Sequence, residues 1–318
     1  MELIRGQHNL RSRHRGCVAT IGNFDGVHLG HQVIITQLVK IGHATNLPTV
    51  LITFEPKPRE FFAGENAPAR LTRFREKMQI LMATTLDRVL CLRFNRSLAN
   101  LTHLEFLEDV LVRGLGVKQI IVGDDFKFGR KAQGDVAFLR EAGAAHAFKV
   151  IQRDTYRVDG KRVSSSWVRE SLAAGDMMLT ARLLGRPYSM QGRVTPGDRI
   201  GRTLGFATAN ILLRRLVSPV SGVYAVQVRG LSEQALPAIA NVGTRPTVKG
   251  KRSQLEVHIF DFERNIYGSH VQVDFLHRLR SEQAFDSLEN LRKQIERDAD
   301  EARTFFADQP RLHTIPQH

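Results

Sequence analysis

The amino-acid sequence predicts an α/β protein that begins with an open parallel sheet and continues into a small antiparallel β-barrel with a terminal helix. Two observations lead to this prediction. Up to about residue 185, apolar strand-like runs alternate with segments of helical periodicity, which is typical of parallel strands joined by right-handed crossovers. Beyond that point, short strand-like runs follow one another with turn residues between them, which is typical of a small barrel. We therefore place a domain boundary at 185/186.

Each element is predicted from the spacing of its apolar residues. The strands predicted in the first domain are Cys17–Ile21, Thr49–Phe54, Arg88–Phe94, Gln119–Gly123 and Phe148–Gln152. The helices predicted there are His31–Ile41, Arg73–Thr85, Leu104–Val112, Val163–Ala174 and Met177–Leu184. The barrel strands predicted are Tyr188–Val194, Gly222–Val228, Leu236–Val242, Gln254–Phe260 and Val271–Leu276, and Glu282–Phe306 is the predicted terminal helix.

Composition narrows the class of protein. Of the 318 residues, 42% are hydrophobic and 25% are charged, as in ordinary globular domains. No apolar run is long enough for a membrane span and no secretory leader is recognisable, so we expect a cytoplasmic protein with no membrane partner. The net charge of +14 invites a nucleic-acid interpretation, but the basic residues are spread along the chain, and we expect no nucleic-acid partner. Cys17 and Cys91 lie in apolar runs and are predicted to be buried, reduced thiols.

The strongest candidate site follows the first predicted strand. The segment Gly22–His31, called here the histidine turn, is glycine-rich and leads into a predicted helix. A helix N-terminus presents free N–H groups and the positive end of a dipole, which suits phosphate. His28 and His31 are three residues apart, so both can face one ligand and stabilise charge on a leaving pyrophosphate. Two solvated histidines or a zinc pair also fit this spacing, whereas a dinucleotide-binding turn is disfavoured because the glycines do not follow its pattern.

Other candidate positions follow later strands of the first domain. The segment Phe54–Phe62 contains two prolines and ends in two aromatic residues, which can pack in a core or form a wall for a flat ring. The segment Gly123–Gly129 combines glycines, aromatic residues and two aspartates, which can cap a helix or bind magnesium indirectly. The segment Val163–Glu170 opens a helix with three serines and Arg169, which could bind a second phosphate region or simply cap the helix.

The barrel carries its own candidate chemistry. The segment Gly197–Asn210 is a glycine-rich loop without the Walker A ending, and such a backbone can cradle phosphates. Thr208 can supply an oxygen to magnesium. In strand periodicity Glu256 and His258 share a face, where Glu256 could act as the base for hydroxyl phosphorylation or be a solvated surface residue.

These strings resemble, in order and over nearly the whole chain, the motifs of bacterial bifunctional riboflavin kinase/FAD synthetases. Gly22–His31 resembles the opening motif of their FMN adenylyltransferase module, and Gly205–Asn210 resembles their kinase motif Gly-Phe-Pro-Thr-Ala-Asn. Two positions depart from the family pattern: Ser166 stands where threonine is usual, and Ala207 stands in the proline position. The second change removes a backbone restraint just before Thr208 without removing a ligand group.

The resemblance implies that residues 1–185 form a Rossmann-like nucleotidylyltransferase domain that converts FMN and ATP to FAD and pyrophosphate. It implies that residues 186–318 form a riboflavin kinase barrel. Riboflavin, FMN and FAD are then substrates or products, and Mg²⁺ accompanies ATP. The sequence leaves the oligomeric state open, a monomer included. A regulatory protein that responds to flavin or binds nucleic acid on an inactive enzyme scaffold is the rival interpretation, which the retained polar residues disfavour.

The resemblance also implies roles for particular residues. The implied catalytic residues are His28, His31 and, as the base of the kinase, Glu256. The implied ATP-binding residues are Gly22, Asn23, Phe24, Asp25, His28, His31, Asp125, Ser164, Ser165, Arg169, Gly201, Thr208 and Asn210. The implied flavin-binding residues are Phe54, Pro56, Pro58, Phe62, Phe128 and Arg280. The implied metal ligands are Thr208 and Asn210.

Overall fold

The structure is a computed structural model that describes residues 1–196, 206–213, 215, 217–247 and 250–308, with the main chain alone at 244–247 and 250–252. The chain divides into two compact units, Met1–Ser165 and Ser166–His318. The predicted Gly201 and most of the glycine-rich loop around it lie outside the described residues.

The first unit is built on a parallel sheet. Its strands are β1 (Glu2–Arg5), β2 (Val18–Ile21), β3 (Thr49–Glu55), β4 (Arg88–Arg93), β5 (Gln119–Gly123) and β6 (Lys149–Arg153). They lie in the order β1-β4-β3-β2-β5-β6, and every pair is parallel. The chain therefore moves outward from β2 to β4 and then returns to place β5 on the other side of β2. In open α/β sheets, ligands bind outside the carboxyl ends of the strands at such a reversal.

Helices cover both faces of this sheet. The helices that begin in the first unit are α1 (Leu29–Thr45), α2 (Pro58–Ala63), α3 (Phe74–Met82), α4 (Arg96–Asn100), α5 (His103–Phe106), α6 (Val136–His146) and α7 (Ser165–Ala174). A π-helical segment, Leu107–Gly114, continues α5. Leu38 of α1 and Leu81 of α3 pack in one apolar cluster, and Leu107 and Leu139 pack in another. A two-stranded hairpin, β7 (Arg157–Val158) and β8 (Lys161–Arg162), precedes α7.

The second unit is a closed antiparallel barrel. Its strands are β9 (Tyr188–Thr195), β10 (Ala209–Leu212), β11 (Gly222–Arg229), β12 (Leu236–Thr247), β13 (Gly250–Ile259) and β14 (His270–Arg280). They close in the order β10-β13-β12-β11-β14-β9, with β9 pairing to both β10 and β14. Helix α8 (Met177–Leu184) precedes the barrel and α9 (Leu288–Asp308) follows it. Ala299 and Ala302 of α9 pack with Val223 of β11.

The predicted fold class is confirmed, but several elements differ in detail. Strands β1, β7 and β8 and helix α4 were not predicted. Strand β10 was not predicted, because only a short run separates the glycine-rich loop from the next turn. Helices α2 and α6 were not predicted either. The terminal helix begins at Leu288 rather than at Glu282, so the prediction for residues 282–287 was wrong. Ser287 ends the non-helical stretch, since its carbonyl accepts from the N–H of Leu291 and its hydroxyl accepts from that of Asn290.

Both cysteines are free thiols and buried, as predicted. Burial raises the pKa of Cys17 to about 12, so this thiol is inert at neutral pH. No helix among the described residues is both long and apolar enough to cross a bilayer.

Candidate functional site

The histidine turn lies at the carboxyl end of β2, where the order of the sheet reverses between β2 and β5. Helix α1 begins directly after His28, so its N-terminus faces the same edge of the sheet. The ends of β3 and β5, which carry the other predicted positions of this domain, meet at that edge because the strands are parallel. The topology thus brings together three of the segments that the sequence predicted to bind ATP or flavin.

The backbone of the histidine turn is strained. Phe24 and Val27 have positive φ angles of 48° and 43°, which a bulky residue rarely adopts, and Gly26 between them has a φ of 79°. The positive φ of a non-glycine residue such as Phe24 or Val27 costs on the order of 1–3 kcal/mol and persists only where the surroundings fix the residue. The side chains of Phe24 and Val27 are fully buried, so core packing offsets part of this cost. Phe24, predicted to bind ATP, therefore has its ring in the core, where it lies 5.0 Å from the ring of His31.

The two histidines form a stacked pair. Their ring centroids are 3.6 Å apart and the planes differ by 19°. Burial lowers the pKa of His31 well below its usual range, and the nearby His28 and Lys77 lower it further. His31 is therefore neutral at pH 7 and offers a donor as well as an acceptor. Among the described residues, no group bonds to its Nδ1 atom, although that atom is buried.

Beneath the turn lie charged side chains that are almost completely buried. The Asp25 carboxylate is 2.7 Å from the Nζ atom of Lys57 and accepts hydrogen bonds from the N–H groups of Leu71 and Thr72. Burial lowers the pKa of Lys57, while Asp25 opposes that shift. The side chain of Asp25 points into the protein and fixes the turn. Asn23, two residues earlier, is exposed at the surface.

A second buried ammonium group holds the turn from α3. The Nζ atom of Lys77 donates to the carbonyl oxygen of Asn23 at 2.9 Å and to the Thr53 hydroxyl at 3.0 Å. Lys77 is only 1% exposed.

The serine segment also reaches the histidine turn. The Ser165 hydroxyl donates to the carbonyl oxygen of Asp25 at 3.0 Å. Gly30 lies close to this contact, since a Cβ atom there would be a tight 3.2 Å from the ring of His28 and 3.4 Å from the carbonyl oxygen of Val163. Ser164 precedes Ser165 at this contact, and Arg169 lies one turn further along α7.

At the end of β5 the two aspartates meet a basic residue of the hairpin. The Asp125 carboxylate lies 2.6 Å from the guanidinium of Arg162, and both side chains are substantially exposed. Asp124 accepts a hydrogen bond from the Thr155 hydroxyl, which lowers the pKa of that carboxyl, and Arg162 adds to the effect. This edge of the sheet therefore presents an ion pair, in which Asp125 and Arg162 are both accessible to a ligand.

The aromatic residues predicted to bind flavin differ in their exposure. Phe54, Phe61 and Phe62 surround the ring of Phe94 at centroid distances of 5.9, 5.5 and 5.8 Å. Phe62 is 69% exposed, so it offers a free aromatic face. Phe128 is instead buried, with its ring stacked 5.5 Å from that of Phe126. Pro58 begins α2, and Pro56 directly follows β3.

In the second unit, three polar side chains form what we call the barrel cluster: Asn210, Gln254 and Glu256. The β10–β13 register places Asn210 opposite Glu256. The side-chain amide of Gln254 donates to the Oδ1 atom of Asn210 and, at 2.9 Å, to the Oε1 atom of Glu256. Gln254 thus orients the amide and the carboxylate that were predicted to act in the kinase.

His258 holds the segment that leads into β10. Its Nδ1 atom lies 2.9 Å from the carbonyl oxygen of Ala207, which can only accept, so Nδ1 carries the proton. Its ring also meets Phe206 edge-on at 5.2 Å. Thr208 follows directly, is partly exposed and lies two residues before Asn210.

Arg280, which was predicted to bind flavin, pairs with an acidic residue of the terminal helix. Its guanidinium contacts both carboxylate oxygens of Asp298, through Nε at 2.9 Å and Nη2 at 2.7 Å. Asp298 belongs to α9 and is 3% exposed, so the pair ties the terminal helix to the end of β14. The side chain of Arg280 is 17% exposed.

Sequence reasoning missed Lys57, Lys77, Arg162 and Gln254. The two lysines are polar residues beside apolar runs, and only the fold shows that they are buried under the histidine turn. Gln254 could have been found, because it lies two residues before Glu256 in a strand and so shares its face.

The fold and the two polar clusters define a class: a nucleotidylyltransferase-like α/β unit joined to a closed six-stranded barrel. A family model described as FAD synthetase matches residues 10–167, and one described as riboflavin kinase matches residues 184–306. The bifunctional riboflavin kinase/FMN adenylyltransferase of Escherichia coli strain K12 is 51% identical over 307 residues, which are 96% of this chain and 98% of that protein. The protein of the same name from Haemophilus influenzae is 47% identical, with coverages of 96% and 99%.

A crystal structure of a protein named as a macrolide-efflux protein from Streptococcus pneumoniae is also similar. It has a TM-score of 0.82 and 29% sequence identity, and the match covers 95% of this chain and 99% of that one. The much higher identity to the enzymes decides the assignment. The chain belongs to the family of bifunctional riboflavin kinase/FMN adenylyltransferases, which are transferases.

Proposed function

We propose that the chain phosphorylates riboflavin to FMN at the barrel cluster and adenylylates FMN to FAD at the histidine turn. The observation that carries the proposal is the correspondence between the family matches and the two clusters. The FAD synthetase match encloses the histidine turn, and the riboflavin kinase match encloses the barrel cluster. The functional domains proposed are residues 1–185 and 186–318.

In the kinase reaction, the terminal ribityl hydroxyl oxygen of riboflavin attacks the γ-phosphorus of ATP, and ADP leaves. Glu256 takes the hydroxyl proton, and Gln254 holds the carboxylate in place through its 2.9 Å hydrogen bond. Thr208 and Asn210 face the phosphates from the segment that His258 fixes through Ala207. Gly201 is proposed to contribute its main chain to ATP binding on the basis of the sequence motif.

The barrel cluster and the neighbouring Thr208 are chemically suited to Mg²⁺. Thr208, Asn210 and Glu256 provide oxygen donors, which this ion prefers, and Mg²⁺ often binds through few protein ligands together with substrate phosphates. When bound with ATP, the ion would neutralise charge on the phosphates. Thr208 and Asn210 are the proposed protein ligands.

In the adenylyl transfer, a phosphate oxygen of FMN attacks the α-phosphorus of ATP, and pyrophosphate leaves. No protein nucleophile is needed, so catalysis depends on positioning and on charge stabilisation. Neutral His31 and its stacked partner His28 donate hydrogen bonds to the triphosphate beside the N-terminus of α1. The residues proposed to bind ATP with them are Gly22, Asn23, Phe24, Asp25, Asp125, Ser164, Ser165 and Arg169. Phe24 and Asp25 are buried, so they act by shaping the turn.

The exposed ring of Phe62 is the proposed stacking surface for the flavin of FMN. Phe54 lies beside that surface through its contact with Phe94, and the other residues proposed to bind flavin are Pro56, Pro58 and Phe128. Arg280 is proposed as a contact of riboflavin in the barrel, although its pairing with Asp298 also gives it a structural role. Riboflavin, FMN and ATP are the proposed partners. A cytoplasmic location is proposed because both thiols are free.

Purified chain incubated with riboflavin, ATP and Mg²⁺ tests the proposal, with the flavins separated by chromatography over time. FMN should appear first and FAD should follow. A parallel incubation with FMN in place of riboflavin should give FAD without a lag. If neither FMN nor FAD forms in either incubation, the proposed function is wrong. If only one of the two reactions occurs, the cluster assigned to the missing reaction is inactive.

A further inference from the structure

Lys77 is a charged residue enclosed by the protein, and its ammonium group links three elements. It lies on α3, donates to the Thr53 hydroxyl of β3 and donates to the Asn23 carbonyl oxygen of the histidine turn. The Thr53 hydroxyl donates to the same carbonyl oxygen at 3.3 Å. Two donors therefore converge on one carbonyl group, immediately before the first residue of the turn with a positive φ.

Burying this ammonium group is costly, because desolvation disfavours a charge in the interior. An apolar side chain would fill the same position of α3 without that cost. What the lysine provides is a charge-assisted hydrogen bond, which is shorter and stronger than a bond between neutral groups. The turn needs such restraints because Phe24 and Val27 hold backbone conformations that persist only where the surroundings fix them.

We propose that Lys77 is a positioning residue for adenylyl transfer, which acts by holding the Asn23 carbonyl group and so keeps the turn and its stacked histidines in the reactive arrangement. This proposal rests on the proposed function of the histidine turn. Lys77 is too deeply buried to contact a substrate, so it acts through the turn alone. Lys57 and Asp25 restrain the next residues in a similar way, but they compensate each other as an ion pair.

The charges around Lys77 give the role a distinctive pH dependence. The titratable groups that face it are Lys57, Asp25, Glu55, Cys91 and His31. Burial lowers the pKa of Lys77 to about 8, and Lys57 lowers it further, while Asp25, Glu55 and Cys91 oppose the shift. Adenylyl transfer should therefore decline above about pH 8 as the ammonium group loses its proton. Riboflavin phosphorylation by the same molecules, which occurs in the other proposed domain, serves as the internal control.

The test compares Lys77→Met with Lys40→Met, a matched change at an exposed lysine of α1. In Lys77→Met, kcat for FAD formation from supplied FMN should fall about 100-fold, the loss that a misplacement of reacting groups by about 1 Å can cause. The KM for ATP should change less, and riboflavin phosphorylation should stay at the parent rate. Lys40→Met should match the parent in both assays.

A second variant, Thr53→Val, keeps the side-chain shape but removes an acceptor from the ammonium group. Its adenylyl transfer should lose activity at lower pH than that of the parent, because the charged form of Lys77 is less stabilised. If Lys77→Met does not fold, this shift of the pH profile tests the positioning role of Lys77 instead.

Three results would overturn the inference. A folded Lys77→Met variant that keeps the parent kcat for FAD formation excludes the positioning role but leaves the proposed function unaffected. If the pH profile of adenylyl transfer in Thr53→Val is the same as in the parent, the positioning role is excluded as well. A parent protein that forms no FAD from FMN at any pH instead overturns the proposed function, and this inference with it.

Discussion

The pairing of Arg280 with Asp298 leads to a prediction that separates two roles of the arginine. Replacing Asp298 by Ala leaves the guanidinium without the carboxylate that contacts it through Nε and Nη2. The change also removes the acceptor of the Gln294 side chain, which lies 2.8 Å from Asp298. The terminal helix should therefore lose its main polar attachment to β14.

The magnitude follows from burial. Removing one partner of a buried ion pair costs about 3–5 kcal/mol, because the other charge stays desolvated and unpaired. Asp298 is 3% exposed and the Arg280 side chain is 17% exposed, so water can reach the freed guanidinium in part. We therefore expect a loss of about 2–4 kcal/mol, which corresponds to a decrease of roughly 5–15 °C in the melting temperature of a domain of this size.

Thermal unfolding followed by circular dichroism measures this loss, and a change of less than about 1 °C would refute the reasoning. The double variant Arg280→Met/Asp298→Leu then tests the flavin contact, since replacing both charges by apolar groups restores stability in many buried pairs. If Arg280 contacts riboflavin, the stable double variant should show a raised KM for riboflavin. If the arginine serves only to attach α9, the KM should equal that of the parent.

Three further predictions concern separate positions. Phe62→Ala should weaken FMN binding about threefold to tenfold, measured by flavin fluorescence, with an unchanged melting temperature because the ring is exposed; equal affinity would exclude the stacking role. Ala207→Pro should stabilise the barrel by about 0.4–1 kcal/mol in urea unfolding if its backbone suits proline, while a loss of stability would mean that this segment has adapted to alanine. The pKa of His31 is lowered in the folded state, so its contribution to stability is complete above about pH 6.5 and is lost as the pH falls below that value toward the folded-state pKa. Between pH 7 and pH 5.5, the free energy of unfolding in urea should therefore fall more for the parent than for His31→Asn. Equal losses would contradict the assignment of His31 as neutral.

Local sequence patterns predicted most of the fold because each reports on a short segment. The apolar runs that became β2, β3 and β5 are continuous because both faces of the sheet are covered by helices. The position of the histidine turn at the strand-order reversal was foreseen only as a strand end, since the order itself depends on long-range pairing. The late start of α9 was missed because Phe285 fits the apolar face of a helix, yet its ring lies 5.7 Å from the guanidinium carbon of Arg280 before the helix begins.

The candidate sites were predictable where a motif is contiguous and not where distant segments converge. The resemblance pointed to His28, His31 and Ser165, and the structure brings Ser165 into contact with the turn that holds the histidines. It did not point to Lys77, which lies on a helix far along the chain and reaches Asn23 only through the packing of α3. The burial of Phe128 was equally invisible, because an aromatic residue at a strand end suits either a core or a ligand wall.

The central claim is that two separate clusters carry out the two reactions. The most direct measurement compares both activities in Glu256→Gln and in the double variant His28→Ala/His31→Ala, with riboflavin phosphorylation and FAD formation from supplied FMN assayed on the same preparations. Glu256→Gln should lose about 10²–10⁴-fold in kcat for phosphorylation and keep FAD formation, because only the base of the kinase is removed. The double histidine variant should lose FAD formation by about 100-fold or more and keep phosphorylation. If folded samples of either variant lose both activities to the same extent, or neither activity, the assignment of the two clusters is contradicted.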